Sequence, residues 1–285
     1  MRLFLSSAVS CVLACLPLRA GMQFVRDGDT LTLSNGLVQT TFNLANGAWQ
    51  ATDSEGRPFA SELRCNVEAS GRASTGEGPR TFLERRVADA FGRGIQAEIT
   101  HAASQPFVLI LTMCDGQTFF LVQLRVPNVA DLQVWQVTLA EGKYRIGEDV
   151  RQVCALVNYW SGQWCSEIHP VDLTDHRQRW ETYSHFNCCG YNRGDQRSVV
   201  VGALYLEGAN RIEASVETAR DPHAVFLKPR CFYDKNPLTV TNAAWVSPPY
   251  IVAAPKNVLD GLEAYGSVAR VHRPAPLTSP PPPGW

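Results

Sequence analysis

The chain has 285 residues, 45% hydrophobic and 19% charged, with a formal net charge of -1. That balance supports a packed core and excludes disorder over most of the length, and the absence of a basic block excludes nucleic acid as a partner. The length accommodates one large all-β domain or two small ones.

Residues 1–20 read MRLFLSSAVSCVLACLPLRA. One arginine precedes an apolar stretch, and a small residue closes it at Ala20. This is the layout of a secretory signal, too short for a membrane span, with cleavage expected near Ala20. The chain is therefore expected to be secreted or periplasmic. The rival reading is a lipid anchor at Cys15, because VLAC approximates a lipobox. Losing Arg2 and Arg19 takes Lys+Arg from 26 to 24 against 27 Asp+Glu, a net charge of about -3. No later apolar run is long enough to cross a bilayer.

Nine cysteines are present, and Cys11 and Cys15 lie in the signal. Seven remain, an odd number, in a compartment that permits disulfides. No CxxC occurs, and the adjacent Cys188 and Cys189 point to opposite faces of any strand. The expectation is small buried side chains, with one or two bridges such as Cys154–Cys165, and no metal site.

From residue 21 the pattern alternates. MQFVRDGDTLTLSNGLVQTTFNLANGAWQATDSEGRPF holds short period-two runs broken at DGD, SNG, ANG and SEGRP, the signature of a β-meander. Further strands are expected at SELRCNVEAS, GIQAEITHA, PFVLILTMCDG, TFFLVQLRV, LQVWQVTLA, RSVVVGALYL, NRIEASVET and HAVFLKPRCFY. PFVLILTM and TFFLVQL are apolar on both faces and suit the middle of two packed sheets. The small, polar segment 70–81 is expected to be a loop. Many short strands between frequent turns predict an all-β antiparallel sandwich over residues 21–254.

The tail changes character. Val258, Leu262, Tyr265 and Ala269 recur at helical spacing, predicting one helix within residues 255–273, weakened by Gly261 and Gly266 and closed by Pro274. Residues 274–285 form a proline-rich spacer ending in PPPPGW.

This order of parts resembles α-galactosidases of glycoside hydrolase family thirty-six and their melibiase and raffinose-synthase relatives. Residues 33–56, LSNGLVQTTFNLANGAWQATDSEG, are similar to that group's opening strands. SVVVGALYLEGANRIEASVE (198–217) resembles an internal strand pair, and LVNYWSGQWCSE (156–167) is similar, in altered order, to an NGYQSW segment. The helix resembles the one placed before the catalytic barrel, and Pro282, Pro283, Gly284 and Trp285 match the start of the barrel's first-strand motif Pro-x-Gly-Trp-Cys-Ser-Trp-Tyr. The resemblance implies a large galactose-mutarotase-like supersandwich that leads into a (β/α)8 barrel of on the order of 250 residues. It implies that the two catalytic aspartates belong to that barrel, so that no catalytic residue is assigned here. The implied partners are a carbohydrate of the α-galactoside class, the barrel and further copies of the chain. No cofactor is implied.

The densest polar and aromatic stretch is 158–195. It holds Tyr159, Trp160, Trp164, Trp180 and Tyr183 with His169, His176 and His185. Flat aromatics cover sugar C–H faces, and polar groups meet hydroxyls. These five aromatics and Trp285 are the candidate carbohydrate- or barrel-facing residues, in what is expected to be a loop region. The competing reading packs them into the sandwich or its interface with the barrel. A free-standing carbohydrate-binding sandwich is the alternative function. A mutarotase-like epimerase, using His185 or His223 with Glu181 or Glu213, is a third. No GxSxG, GxGxxG or P-loop occurs.

Overall fold

The computed structural model describes residues 21–76, 78–127, 131–145, 153–161, 165–172, 179–184, 187–192, 197–204, 210–217, 224–233 and 236–272, and for the strands between 153 and 192 it describes the backbone. In chain order the meander is β1 (Gln23–Asp27), β2 (Thr30–Ser34), β3 (Val38–Asn43), β4 (Trp49–Asp53) and β5 (Pro58–Ala69). Then come β6 (Arg72–Ser74), β7 (Arg80–Asp89), β8 (Gly92–His101), β9 (Phe107–Cys114), β10 (Phe119–Val126) and β11 (Leu132–Tyr144). The middle holds β12 (Val153–Ser161), β13 (Cys165–Asp172), β14 (Arg179–Ser184) and β15 (Asn187–Asn192). The chain continues with β16 (Ser198–Ala203), β17 (Asn210–Glu217), β18 (Val225–Phe232), β19 (Leu238–Val240), β20 (Trp245–Val246), β21 (Tyr250–Ala253) and the helix α1 (Val258–His272).

Two antiparallel sheets result. The 11-stranded sheet runs β1-β2-β3-β4-β5-β11-β18-β17-β14, with β6 on β5 and β19 on β11. The 10-stranded sheet runs β13-β12-β15-β16-β21-β10-β9-β8-β7, with β20 on β10. The all-β supersandwich with one C-terminal helix expected from the sequence is the observed fold.

Alternation explains the packing. In β2 and β3, Leu31, Leu33, Val38 and Phe42 point inward and are buried, while most of the intervening residues are half-exposed. They meet Ile95, Ile99, Phe107 and Phe120 of the facing sheet in one continuous core, where Trp49 lies edge-on to Phe120 with ring centres 5.9 Å apart. Asn35, in the SNG break, ties the sheets together. Its amide donates to the carbonyls of Cys114 and Gln117, both at 2.7 Å, while its Oδ1 accepts the N–H groups of Leu37 and Val38.

The doubly apolar β10 has a further cover. Phe119 and Leu121 of β10, with Leu204, Ile251 and Ala253, form a second cluster under Val268, Tyr265 and Ala269 of α1. The Asn257 side chain accepts the Leu259 N–H at 2.8 Å, a cap that begins this helix. The buried stripe of α1 is centred on Val268, which the helical spacing alone does not single out, and Tyr265 donates its hydroxyl proton to the Ala203 carbonyl at 2.7 Å. Gly261, expected to weaken the helix, is where it touches the sheet. A Cβ there would stand 2.5 Å from Pro255 Cγ and 2.7 Å from Val200 Cγ2.

Three expectations are corrected. Segment 70–81 is not a loop throughout. Ser70 and Gly71 both have positive φ, 50° and 72°, which suits a two-residue hairpin joining Ala69 to its partner Arg72. Arg80 then opens β7, and its guanidinium donates to the carbonyls of Leu44, Ala45 and Gly76. The described residues of region 158–195 are likewise strand, in β12 to β15, where Tyr, Trp, Val and Ile suit extended backbone. Finally, the β12–β13 register sets Cys154 opposite Asp172 and Cys165 opposite Ser161. The two cysteines lie at opposite ends of the hairpin, roughly 23 Å apart at strand rise, which excludes a bridge between them.

Candidate functional site

The register aligns four polar residues across adjacent strands. Asn66 of β5 is opposite Thr138 of β11, Thr138 is opposite Arg230 of β18, and Arg230 is opposite Arg211 of β17. Their strand neighbours Cys65, Val67, Val137, Cys231 and Ile212 all belong to the core. Alternation therefore places the polar line on the outer face of the 11-stranded sheet.

Arg230 organises this face. Its side chain is 11% exposed. It donates through Nη1 to Gln136 Oε1 at 2.7 Å and through Nη2 to Glu213 Oε1. Arg211 Nε lies 3.2 Å from the same Glu213 oxygen. The Arg230 guanidinium stands 4.3 Å from the centre of the Phe232 ring, and that of Arg211 5.9 Å from it. Burial pushes the Arg230 guanidinium below its ordinary range, and Glu213 opposes the shift. A further pair, Lys228 with Glu141 at 3.3 Å, borders the patch.

Asn66 Oδ1, Thr138 Oγ1 and Arg230 Nε are buried without a hydrogen-bond partner. Buried polar atoms normally find one, so three aligned exceptions mark a place where the fold has not satisfied its own polar chemistry. The patch combines amide, hydroxyl, carboxylate and guanidinium groups with an aromatic ring. Glu213 is held between two guanidinium groups.

The sequence-predicted residues divide between the sheets. Tyr183 and Trp180 lie on β14, the edge strand of the 11-stranded sheet, with Glu213 and Val216 as their backbone partners. The register thus sets Tyr183 beside the strand position that carries Glu213. Tyr159 and Trp160 lie on β12 of the other sheet, opposite Glu167 and Ser166. Trp164 and Trp285 lie outside the described residues, as do His185 and His223 of the epimerase reading. Glu181 is opposite Ser215. Among the described residues, no group of His, Cys, Asp and Glu could hold a metal ion, and no helix is long and apolar enough to cross a membrane. The patch residues themselves are not singled out by the sequence reading. The alternation of Lys228, Arg230 and Phe232 within an otherwise apolar strand is the available signal.

The architecture and its paired sheets define a galactose-mutarotase-like supersandwich. Three solved structures share the fold. An α-N-acetylgalactosaminidase of Bifidobacterium bifidum, solved with GalNAc, matches at a TM-score of 0.58 and 8% identity over 85% of this chain and 39% of that one. A putative aldose 1-epimerase from Klebsiella pneumoniae matches at 0.57 and 10% identity, over 88% of this chain and 86% of that one. A putative aldose 1-epimerase from Escherichia coli K12 matches at 0.53 and 11% identity, over 82% and 99% respectively. The chain thus spans less than half of the glycosidase and most of each epimerase. No protein-family model and no curated protein matches the sequence.

Proposed function

We propose that this chain is a carbohydrate-binding, non-catalytic supersandwich of a secreted α-galactosidase-like glycoside hydrolase, supporting a catalytic barrel and bordering its sugar cleft. The observation that carries the binding reading is the outer polar line Asn66–Thr138–Arg230–Arg211 beside Phe232. Of this line the Arg211 side chain, with Glu213 beside it, is about a third exposed and offers hydrogen-bonding groups next to the Phe232 ring, a combination suited to sugar recognition. Tyr183 lies on the neighbouring edge strand, cross-strand from Glu213. The hydrolase part of the reading is supported by the resemblance carried by residues 33–56, 198–217 and 282–285, and by the fold shared with a glycosidase. The test is a titration of the chain with galactose and N-acetylgalactosamine, followed by tryptophan fluorescence and calorimetry. Binding is expected in the millimolar range, about -4 kcal/mol, and weaker in Arg211→Ala and Tyr183→Ala. Nitrophenyl α-galactoside is expected to remain uncleaved by the chain alone. A flat titration would overturn the binding reading, and cleavage the non-catalytic one.

A second reading, a free-standing aldose epimerase, is favoured by the near-complete span of the two epimerase structures. Polarimetry of freshly dissolved α-galactose decides it. Acceleration of anomerisation that disappears in Glu213→Gln would replace the first reading, and a rate equal to buffer would dispose of the second.

A further inference from the structure

The 10-stranded sheet ends on β7, and among the described residues no strand pairs with its outer edge. β7 is 10 residues long, and all of them pair with β8 in one unbroken register, from Arg80 opposite His101 to Asp89 opposite Gly92. Of the strands that end the two sheet paths it is the longest, since β1 has 5 residues, β14 has 6 and β13 has 8. The unpaired N–H and C=O groups of such an edge are a template for a further strand. RTFLERRVAD carries no proline, bulge or lysine to block pairing, and its Leu83 is 48% exposed. Charge is the guard that remains, in Glu84, Arg85 and Arg86. An added strand must therefore complement these three side chains.

β7 complements itself. A twofold axis normal to the sheet keeps every side chain on its own face, so residues of the two copies that stand opposite each other have numbers of the same parity. With the axis at Arg85, Glu84 stands opposite the partner's Arg86 and Leu83 opposite the partner's Val87, and symmetry makes each pair twice. Phe82 meets the partner's Ala88, and Thr81 meets the partner's Asp89, which pairs Thr81–Asp89 throughout. Arg85 alone meets its own copy, and each Arg85 is already bound to Glu98 of β8 at 2.7 Å. Glu84 and Arg86 lie 3.3 Å apart within one strand, with the Arg86 side chain 68% exposed, and so can exchange partners across the axis. Arg80 stays outside the paired stretch, where its guanidinium holds the carbonyls of Leu44, Ala45 and Gly76. Neighbouring registers are worse. An axis at Glu84 sets two carboxylates opposite each other and Phe82 opposite the partner's Arg86. An axis at Arg86 sets two guanidinium groups opposite each other and Leu83 opposite the partner's Asp89. Like charges directly opposite are unfavourable, whereas opposite charges and apolar pairs stabilise.

From this self-complementarity we infer that β7 is a dimerisation edge, through which two copies of the chain join their 10-stranded sheets as antiparallel strands with the twofold axis at Arg85. The edge shares no residue with the outer polar line of the 11-stranded sheet, so the dimer stands or fails independently of the proposed function.

The test is sedimentation equilibrium of the intact chain over a range of concentrations, with β7 variants. The wild type is expected to pass from monomer to twice its mass as concentration rises. Glu84→Arg and Arg86→Glu, each alone, are expected to weaken the dimer at least about tenfold, since two cross-strand pairs turn repulsive at once. An equimolar mixture of the two variants restores opposite charges at every such pair and is expected to recover the dimer, as is the double variant carrying both changes. Register is read by cross-linking. Under mild oxidation by copper phenanthroline, Arg85→Cys is expected to form a disulfide-linked dimer and Leu83→Cys is not, because the two copies of position 83 lie four residues apart along the strands, roughly 13 Å at strand rise. A wild type that stays monomeric at every concentration, charge variants that dimerise as well as the wild type, a mixture that fails to recover, or cross-linking as efficient at position 83 as at position 85 would overturn the assignment.

Discussion

His101 gives the fold a pH dependence that can be worked through. Its ring stacks on Phe107 with centres 4.3 Å apart, and the residue is 2% exposed. Nε2 is buried without a partner, while Nδ1 faces the Gly76 carbonyl at 3.4 Å and Arg80 Nε at 3.3 Å. Burial, with a smaller contribution from the Arg80 charge, pushes the imidazole down from 6.5 to about 4, against the opposing pull of the Gly76 carbonyl. The ring is therefore neutral in the fold, whereas in the unfolded chain it takes up a proton below 6.5. Its contribution is complete above that pH and is lost as pH falls toward 4. The full interval corresponds to about 3.4 kcal/mol, of which about 2 kcal/mol is gone by about pH 5. Urea unfolding followed by tryptophan fluorescence between about pH 7.5 and 5 measures it, with His101→Gln as the reference. The wild type should lose stability steeply in that window and the neutral variant should not. Depressed carboxylates such as Asp53 and Glu98 act at lower pH, below their ordinary values of 3.8 and 4.5. Parallel pH profiles for the two proteins would refute the reasoning.

The two helix glycines should respond in opposite directions. Gly266→Ala meets open space and should raise stability by about 0.5–1 kcal/mol, read from the thermal midpoint. Gly261→Ala would drive a methyl into Pro255 and Val200 and should cost about 1–3 kcal/mol by the same measurement. Arg230→Met should lower stability by about 2 kcal/mol in urea, because Gln136 and Glu213 lose their shared donor in a sheltered position. Burial raises the thiols of Cys65 and Cys114 to about 12 and about 11, so peptide mapping after alkylation of the native protein should find both unmodified, and both labelled once the chain is unfolded.

The strands were readable because their signals are local. Leu31 and Leu33, or Val38 and Phe42, alternate within a few residues, and the glycine- and asparagine-bearing breaks mark where each run ends. The helix was readable for the same reason, although its contact centre at Val268 was not, since the depth of burial depends on which sheet residues lie beneath. In segment 70–81 the local signal misled. Small polar residues suit a loop, but Ser70-Gly71 also makes a two-residue turn, and Arg80 supplies the carbonyl-binding side chain that fixes the segment.

The polar patch was hidden for a different reason. Asn66, Thr138, Arg230 and Arg211 are separated by as many as 164 positions in the chain, and only the pairing order β5-β11-β18-β17 brings them into line. Seen singly, each is an ordinary outward residue of an alternating strand. The aromatic concentration at 158–195 pointed instead to sequence neighbours, and the fold divides them between two sheets. Strand order, rather than local composition, therefore decides which side chains share a surface.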